Sequence, residues 1–119
     1  MGVTINGWDD IEYSTATISG SNQTVDGDEY LIVIPANDGD SVKFITPIEP
    51  TFNWIMEVAN GDPTLSKNVD FIGGTPGANP PEIFIPPPFT KLRLAPTQVQ
   101  RFAFIIGTGW APLLPGVLV

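Results

Sequence analysis

An all-β fold is what this sequence predicts: a single antiparallel β-sandwich, jelly-roll-like, with long Pro/Gly-rich loops and an extended C-terminal tail. Three observations predict it. Thirteen prolines and twelve glycines break the 119-residue chain into short apolar runs, a spacing that suits a sandwich or barrel and leaves no convincing helix. Those runs are rich in β-branched and aromatic residues, and several alternate at period two. The length fits one core and one domain, residues 1–119.

Residues 1–12 form an N-terminal arm ahead of the first weakly alternating run, Thr15 to Ser19. Glu29 to Ile34 is a continuous apolar run, as expected of a strand buried on both faces, and Pro35 ends it. After the turn residues Ala36 to Asp40, Ser41 to Thr46 places Val42 and Phe44 on one face and Lys43 and Ile45 on the other. The two runs make the best hairpin candidate in the chain. Phe52 to Ala59 sets Phe52, Trp54, Met56 and Val58 on one face, as in a central core strand. Val69 to Ile72 is a short strand before the Gly/Pro-rich segment 73–89, whose Gly73 to Pro81 part suits an ordered surface loop. Ile83 to Ile85 can pair briefly before Pro86, Pro87 and Pro88 impose an extended polyproline stretch without backbone donors. Leu92 and Leu94 then alternate with Lys91 and Arg93, and Phe102, Phe104 and Ile106 share one face opposite Arg101, Ala103 and Ile105. The tail 110–119 is nearly all apolar and holds two prolines. It either folds back as a last strand on its own sandwich or docks on a neighbouring subunit.

Composition narrows the chemistry. Without cysteine there is no disulfide framework or thiolate metal site. Without histidine the commonest general base and the commonest zinc ligand are missing too. No catalytic, cofactor-binding or metal residues are expected. The acids around Asp26 to Glu29 and Asn37 to Asp40 lack the fixed ligand offsets of a calcium loop and read as turn chemistry. Gly73-Gly74 and Gly107-Thr108-Gly109 lack the lysine and helix of a phosphate loop. Nothing places two carboxylates across a cleft for glycoside hydrolysis. The opening MGVTINGWDDIEY has neither the basic region nor the apolar run of a secretory signal, and no stretch approaches the roughly 18 apolar residues of a membrane span.

Net charge is −8, carried by the first 50 residues, where nine acids face Lys43 alone; after Glu82 there are no acids and three bases. That polarity argues against phosphate-backbone binding and for one acidic, solvated end and one docking end; the plainer reading is that acids fill the early turns. Trp8 and Trp110 lie near the termini, where exposed rings would suit a carbohydrate-binding or adhesion module, whereas Trp54 fits the core pattern.

Thr24 to Pro35, followed by Gly39-Asp40-Ser41-Val42-Lys43-Phe44, resembles β-modules of tailed-bacteriophage virion proteins, in which a strand ending in proline leads through a loop to Gly-Asp-x-Val-x-Phe. Together with the acidic, cysteine-free character of the chain, the resemblance implies a non-enzymatic capsid decoration (cement) protein or, failing that, a small tail or fibre component. It further implies the major capsid protein or other virion subunits as partners, a homo-oligomer with a trimer favoured, manufacture in the host cytoplasm and a place on the outer capsid surface. Neither nucleic acid nor membrane is an expected partner. The expected anchors are Pro87, Phe89, Arg93, Arg101, Trp110, Leu113, Leu114, Val117, Leu118 and Val119.

Overall fold

The structure, a computed structural model, describes residues 2–3, 11–47, 55–113 and 117–119. Among them there is no helix. A two-stranded ladder joins β1 (Gly2–Val3) to β2 (Ile11–Glu12). The other ten strands are β3 (Ser14–Ile18), β4 (Gln23–Asp26), β5 (Tyr30–Pro35), β6 (Asp40–Thr46), β7 (Ile55–Asn60), β8 (Val69–Ile72), β9 (Lys91–Leu94), β10 (Val99–Ile105), β11 (Gly109–Pro112) and β12 (Val117–Leu118). They form two five-stranded sheets, β11-β10-β7-β5-β3 and β12-β9-β8-β6-β4.

The winding departs from the antiparallel, jelly-roll-like expectation. From β3 to β8 successive strands alternate between the sheets, and each lies parallel to the strand two before it: β3 with β5, β5 with β7, β4 with β6 and β6 with β8. Parallel neighbours need a crossover connection. Here the crossover is a strand of the facing sheet, so the chain coils through three turns. Antiparallel pairing begins only afterwards, where β9 lies beside β8, β10 beside β7, β11 beside β10 and β12 beside β9.

The expected hairpin of β5 and β6 is likewise an arch, with the two strands in opposite sheets. Its turn satisfies its backbone groups against the turns before and after it. Ala36 N donates to Ile18 O, Ser41 N to Gly20 O, and Gly39 N to Asn68 O. Side chains staple the same stack. Asp40 accepts from Gly20 N at 2.9 Å and Asn37 N at 2.8 Å, and Asp38 accepts from Asn68 N at 2.8 Å. Buried Asn60 donates to the carbonyls of Lys67 and Leu94, both at 2.9 Å. Asp62, also buried, accepts from the backbone of Thr64, Ser66 and Lys67. Burial pushes both Asp40 and Asp62 up, but these hydrogen bonds outweigh it and hold both carboxyls below the usual range.

Inside the sandwich lie Leu31 and Val33 of β5, Met56 and Val58 of β7 and Phe102 of β10 from one sheet. Val42 and Ile45 of β6, Val69 and Phe71 of β8 and Leu92 and Leu94 of β9 come from the other. Phe71 and Phe102 meet across the layers with ring centroids 5.2 Å apart. The β7 alternation puts Met56 and Val58 inside, as its period predicts; Phe52 and Trp54 lie outside the described residues. In segment 73–89 Ile83 pairs briefly, as its run predicts. Pro81, Glu82, Ile83 and Ile85 are buried, and Ile83 bridges to Trp110 while Phe44 bridges to Glu82, so this stretch plugs one end of the sandwich. Gly109 permits that approach: its φ is +131°, and a Cβ there would overlap the Glu82 carbonyl oxygen. The three prolines do not run on as polyproline; Phe89 N turns back to Pro86 O at 3.1 Å, and the Pro87-Pro88 bond is cis.

Candidate interaction surface

The described parts of the tail, 110–113 and 117–119, pair with strands of the chain's own two sheets. Trp110 is fully buried against Phe104, with ring centroids 5.3 Å apart, and β12 pairs with β9 along Val117–Arg93 and Leu118–Leu92. Val119 completes the edge, its carbonyl accepting from Thr90 N at 2.9 Å. Two expectations are thereby corrected. Trp110 is neither an interface anchor nor a sugar-stacking ring, because closing the end of the sandwich required the largest side chain inside. Trp8 lies outside the described residues.

The remaining expected anchors do not converge. Pro87 and Phe89 are exposed in the turn that follows the buried plug. Arg93 and Val117 share the outer face of the second sheet, where Arg93 clasps Asp70 through Nε at 2.9 Å and Nη2 at 3.0 Å. Lys91 adds its ammonium 3.4 Å from the same carboxylate. Burial pushes Asp70 up, yet the Arg93 and Lys91 charges hold it below the usual carboxylate range, and Asp70 in turn raises Arg93. Leu118 packs on the core and Val119 is half exposed at the sheet edge. Arg101 and Leu113 sit on the opposite side of the molecule, and Leu114 lies outside the described residues.

On that opposite side, the outer face of the first sheet, the strand register assembles an apolar surface. Cross-strand pairing aligns Tyr30, Glu57 and Arg101 in one row, and Thr15, Ile32, Ala59 and Val99 in the next. Ala103 and Ala111 form a third, with Ile105 beyond it opposite Gly109. Val99 is 59% exposed, Ile105 48% and Leu113 46%. Ile32 and Ile34 are half buried on this side, whereas Leu31 and Val33 point inward; β5 is thus covered on one face rather than two. Gly61 helps the two isoleucines lie close to the sheet, since a Cβ there would overlap Ile32 Cγ2. The only charged side chains in those rows are Glu57 and Arg101, which pair at 2.9 Å. Around them Glu29, Tyr30 and Ile55 complete a depression of about 250 Å³.

Sequence reasoning placed Arg101, Ala103 and Ile105 on one face of β10 but did not foresee that Ile32, Ile34 and Val99 share it. The signal was present in β5, whose unbroken apolar run exceeds what one core face uses. Among the described residues no group of three or more carboxylates, histidines or cysteines could hold a metal ion. Comparison with protein-family models, curated proteins and solved structures finds no match to this chain.

Proposed function

We propose that this chain is a non-enzymatic structural protein that works by docking the outer face of its first sheet on protein, and that the assembly it joins is a virion, as a decoration protein on the outer capsid surface. The single observation that carries the docking reading is the aliphatic face of β5, β7, β10 and β11. Soluble monomers rarely expose contiguous apolar patches beyond a few hundred Å², and larger ones mark interaction sites. The virion assignment is supported by the resemblance over Thr24 to Phe44, which spans β4, β5 and β6. The Gly-Asp of that stretch also has a structural duty, because Asp40 staples two turns of the coil.

The test is to purify virus particles from the cells that make the chain, by density gradient, and to ask by mass spectrometry whether it copurifies stoichiometrically. Purified protein is then added back to shells stripped of it. Rebinding by the wild type and failure by a V99E/I105E double variant are the expected outcome. Absence of the chain from particles, or rebinding unaffected by the double variant, overturns the reading.

A further inference from the structure

We infer that the open edge of the first sheet, along β3, takes up an extended, basic segment of another protein as an added strand that fills the cleft between β3 and β4; this surface is separate from the outer face invoked above, and the inference stands without that reading.

The two ends of the coil are finished differently. After the third turn, β9 and β10 pair with β8 and β7, and the edge of β11 is covered in turn by the plug, where Trp110 N donates to Glu82 O and Phe84 N to Trp110 O. At the first turn, β3 and β4 are the outermost strands of their sheets, each paired on one side only, with β5 and β6. In an extended strand, successive residues turn their N–H and C=O to opposite sides. The Ile18 carbonyl accepts from Ala36 N on the β5 side, so Ser14, Ala16 and Ile18 face β5 while Thr15 and Thr17 turn their backbone groups to the open edge. Natural edge strands are blunted by charge, proline or a bulge. β4 has a register shift between Gln23 and Thr24 and carries Asp26. β3, with the sequence Ser-Thr-Ala-Thr-Ile and an unbroken register, has none of the three. It is an unprotected template, and strand addition to such an edge is a recurring mode of peptide recognition.

Space and charge select the occupant. Between the two edges lies a cleft of about 640 Å³ that reaches Ala16, Val25 and Leu31 and opens past Thr24 and Asp26. A strand added to β3 sets alternate side chains into it. Asp26 accepts from Thr46 Oγ1 at 3.1 Å, and Asp28, at the start of β3, accepts from Ser14 Oγ and Glu29 N. These are neutral donors, so neither carboxylate is matched by a cation among the described residues. This chain has no suitable base to spare. Lys43 lies by Glu82, Lys91 and Arg93 by Asp70, and Arg101 by Glu57. Lys67 is held in the turn around Asp62, to which its N–H donates, and so is not free to extend as a strand. Segments 4–10, 48–54 and 114–116 contain Asp9, Asp10 and Glu49 and no base. A second copy, at −8, would bring its own acids to the rim. A lysine- or arginine-bearing strand of a different protein supplies both the ladder groups and the opposite charge.

Fluorescence anisotropy of labelled octapeptides on the full chain tests this. A peptide alternating lysine and valine is expected to bind, more weakly as salt rises. One alternating glutamate and valine is expected not to bind. One alternating lysine and proline has equal charge but lacks half the ladder donors, and should bind at least about tenfold more weakly. T17P removes an edge-facing donor that the fold does not use, so it should keep the circular dichroism spectrum while weakening the lysine–valine peptide at least about tenfold. D26K should weaken it as well, and L65E, in the β7–β8 connection two coil turns away, should leave it unchanged. Hydrogen exchange followed by NMR should show the Thr15 and Thr17 amides unprotected in the free protein and protected in the complex; this measurement needs no variant and decides the case even if T17P unfolds. No binding of the lysine–valine peptide, equal binding of either control peptide, or binding that survives both T17P and D26K would overturn the inference. So would Thr15 and Thr17 amides already protected in the free protein: at twofold mass by sedimentation the edge holds a second copy, and at monomer mass a segment of its own chain.

Discussion

The outer faces of the two sheets belong to one coil of alternating strands, yet their outward side chains are partnered differently. On the second sheet, register sets Ser41, Asp70, Arg93 and Val117 in one row, and Asp70 is clasped by Arg93 and Lys91. That face satisfies its charges internally. On the first sheet the corresponding rows hold Ile32, Ala59 and Val99 beside one exposed ion pair, so its outward positions are largely aliphatic. Nearly the same backbone therefore carries a finished face and an unfinished one, and the difference lies in which side chains occupy the outward positions of each strand.

The comparison presumes that both sheets share one core, and the largest effects test that. F71A and F102A should each cost about 3–5 kcal/mol of unfolding free energy, as expected for fully buried rings. Denaturant titration of the double variant should show a loss different from the sum, because the rings touch. Equal additivity would mean that the sheets are energetically separate.

Next is the ion pair of the finished face. Asp70 is buried while Arg93 is partly in solvent, so D70A should cost about 1–3 kcal/mol, below the full value for a buried pair because water screens the guanidinium. Acid titration reads the same groups. Asp40, Asp62 and Asp70 all sit below their usual value of 3.8 in the folded chain. Between the folded and unfolded values the unfolded chain binds more protons, so stability rises with pH there. Their contribution should be complete above the unfolded value and lost as pH falls through 3.8 and below. Unfolding midpoints measured from pH 6 down to pH 2 should therefore be flat and then decline, and D70N should decline less than wild type.

The unfinished face should barely register in monomer stability. R101A is expected to change it by less than about 1 kcal/mol, as for exposed pairs. V99E should stay within about 0.5 kcal/mol while still weakening shell binding. A V99E variant that unfolds readily would show that Val99 belongs to the core, and the contrast between the faces would collapse.

Much of the inside of this molecule was legible. The runs Ser41 to Thr46, Val69 to Ile72, Leu92 to Leu94 and Val99 to Ile106 mark strands that the structure contains, and Leu92, Leu94 and Phe102 face the core as their alternation requires; Ile45 rather than Phe44 joins Val42 inside, and Ile106, past the end of β10, is exposed. The parallel coil was not legible. Its turns differ in length, so paired residues lie 17 apart between β3 and β5 (Ser14 and Leu31) but 27 apart between β5 and β7 (Tyr30 and Glu57), and no fixed period appears in the sequence. The short β5–β6 turn looked like a hairpin loop because the residues that suit a hairpin suit an arch equally. What distinguishes them is whether the turn's amides bond across it or to the neighbouring turns, and Gly39 N and Ser41 N, which donate to Asn68 O and Gly20 O, show the second. Trp110 misled for a similar reason. An aromatic ring in a proline-rich tail reads as exposed until the plug from Pro81 to Ile85 is seen to build a wall beside it.

By itself the sequence determined the all-β class, the inward face of several core strands and the turn chemistry of the acids, because each depends on side-chain type and local spacing. Only the tertiary structure decided which strands are neighbours, that the tail packs on its own sandwich, and that one outer face is left aliphatic. Backbone hydrogen bonds make those choices, and they join residues far apart in the chain through groups that every residue except proline carries alike.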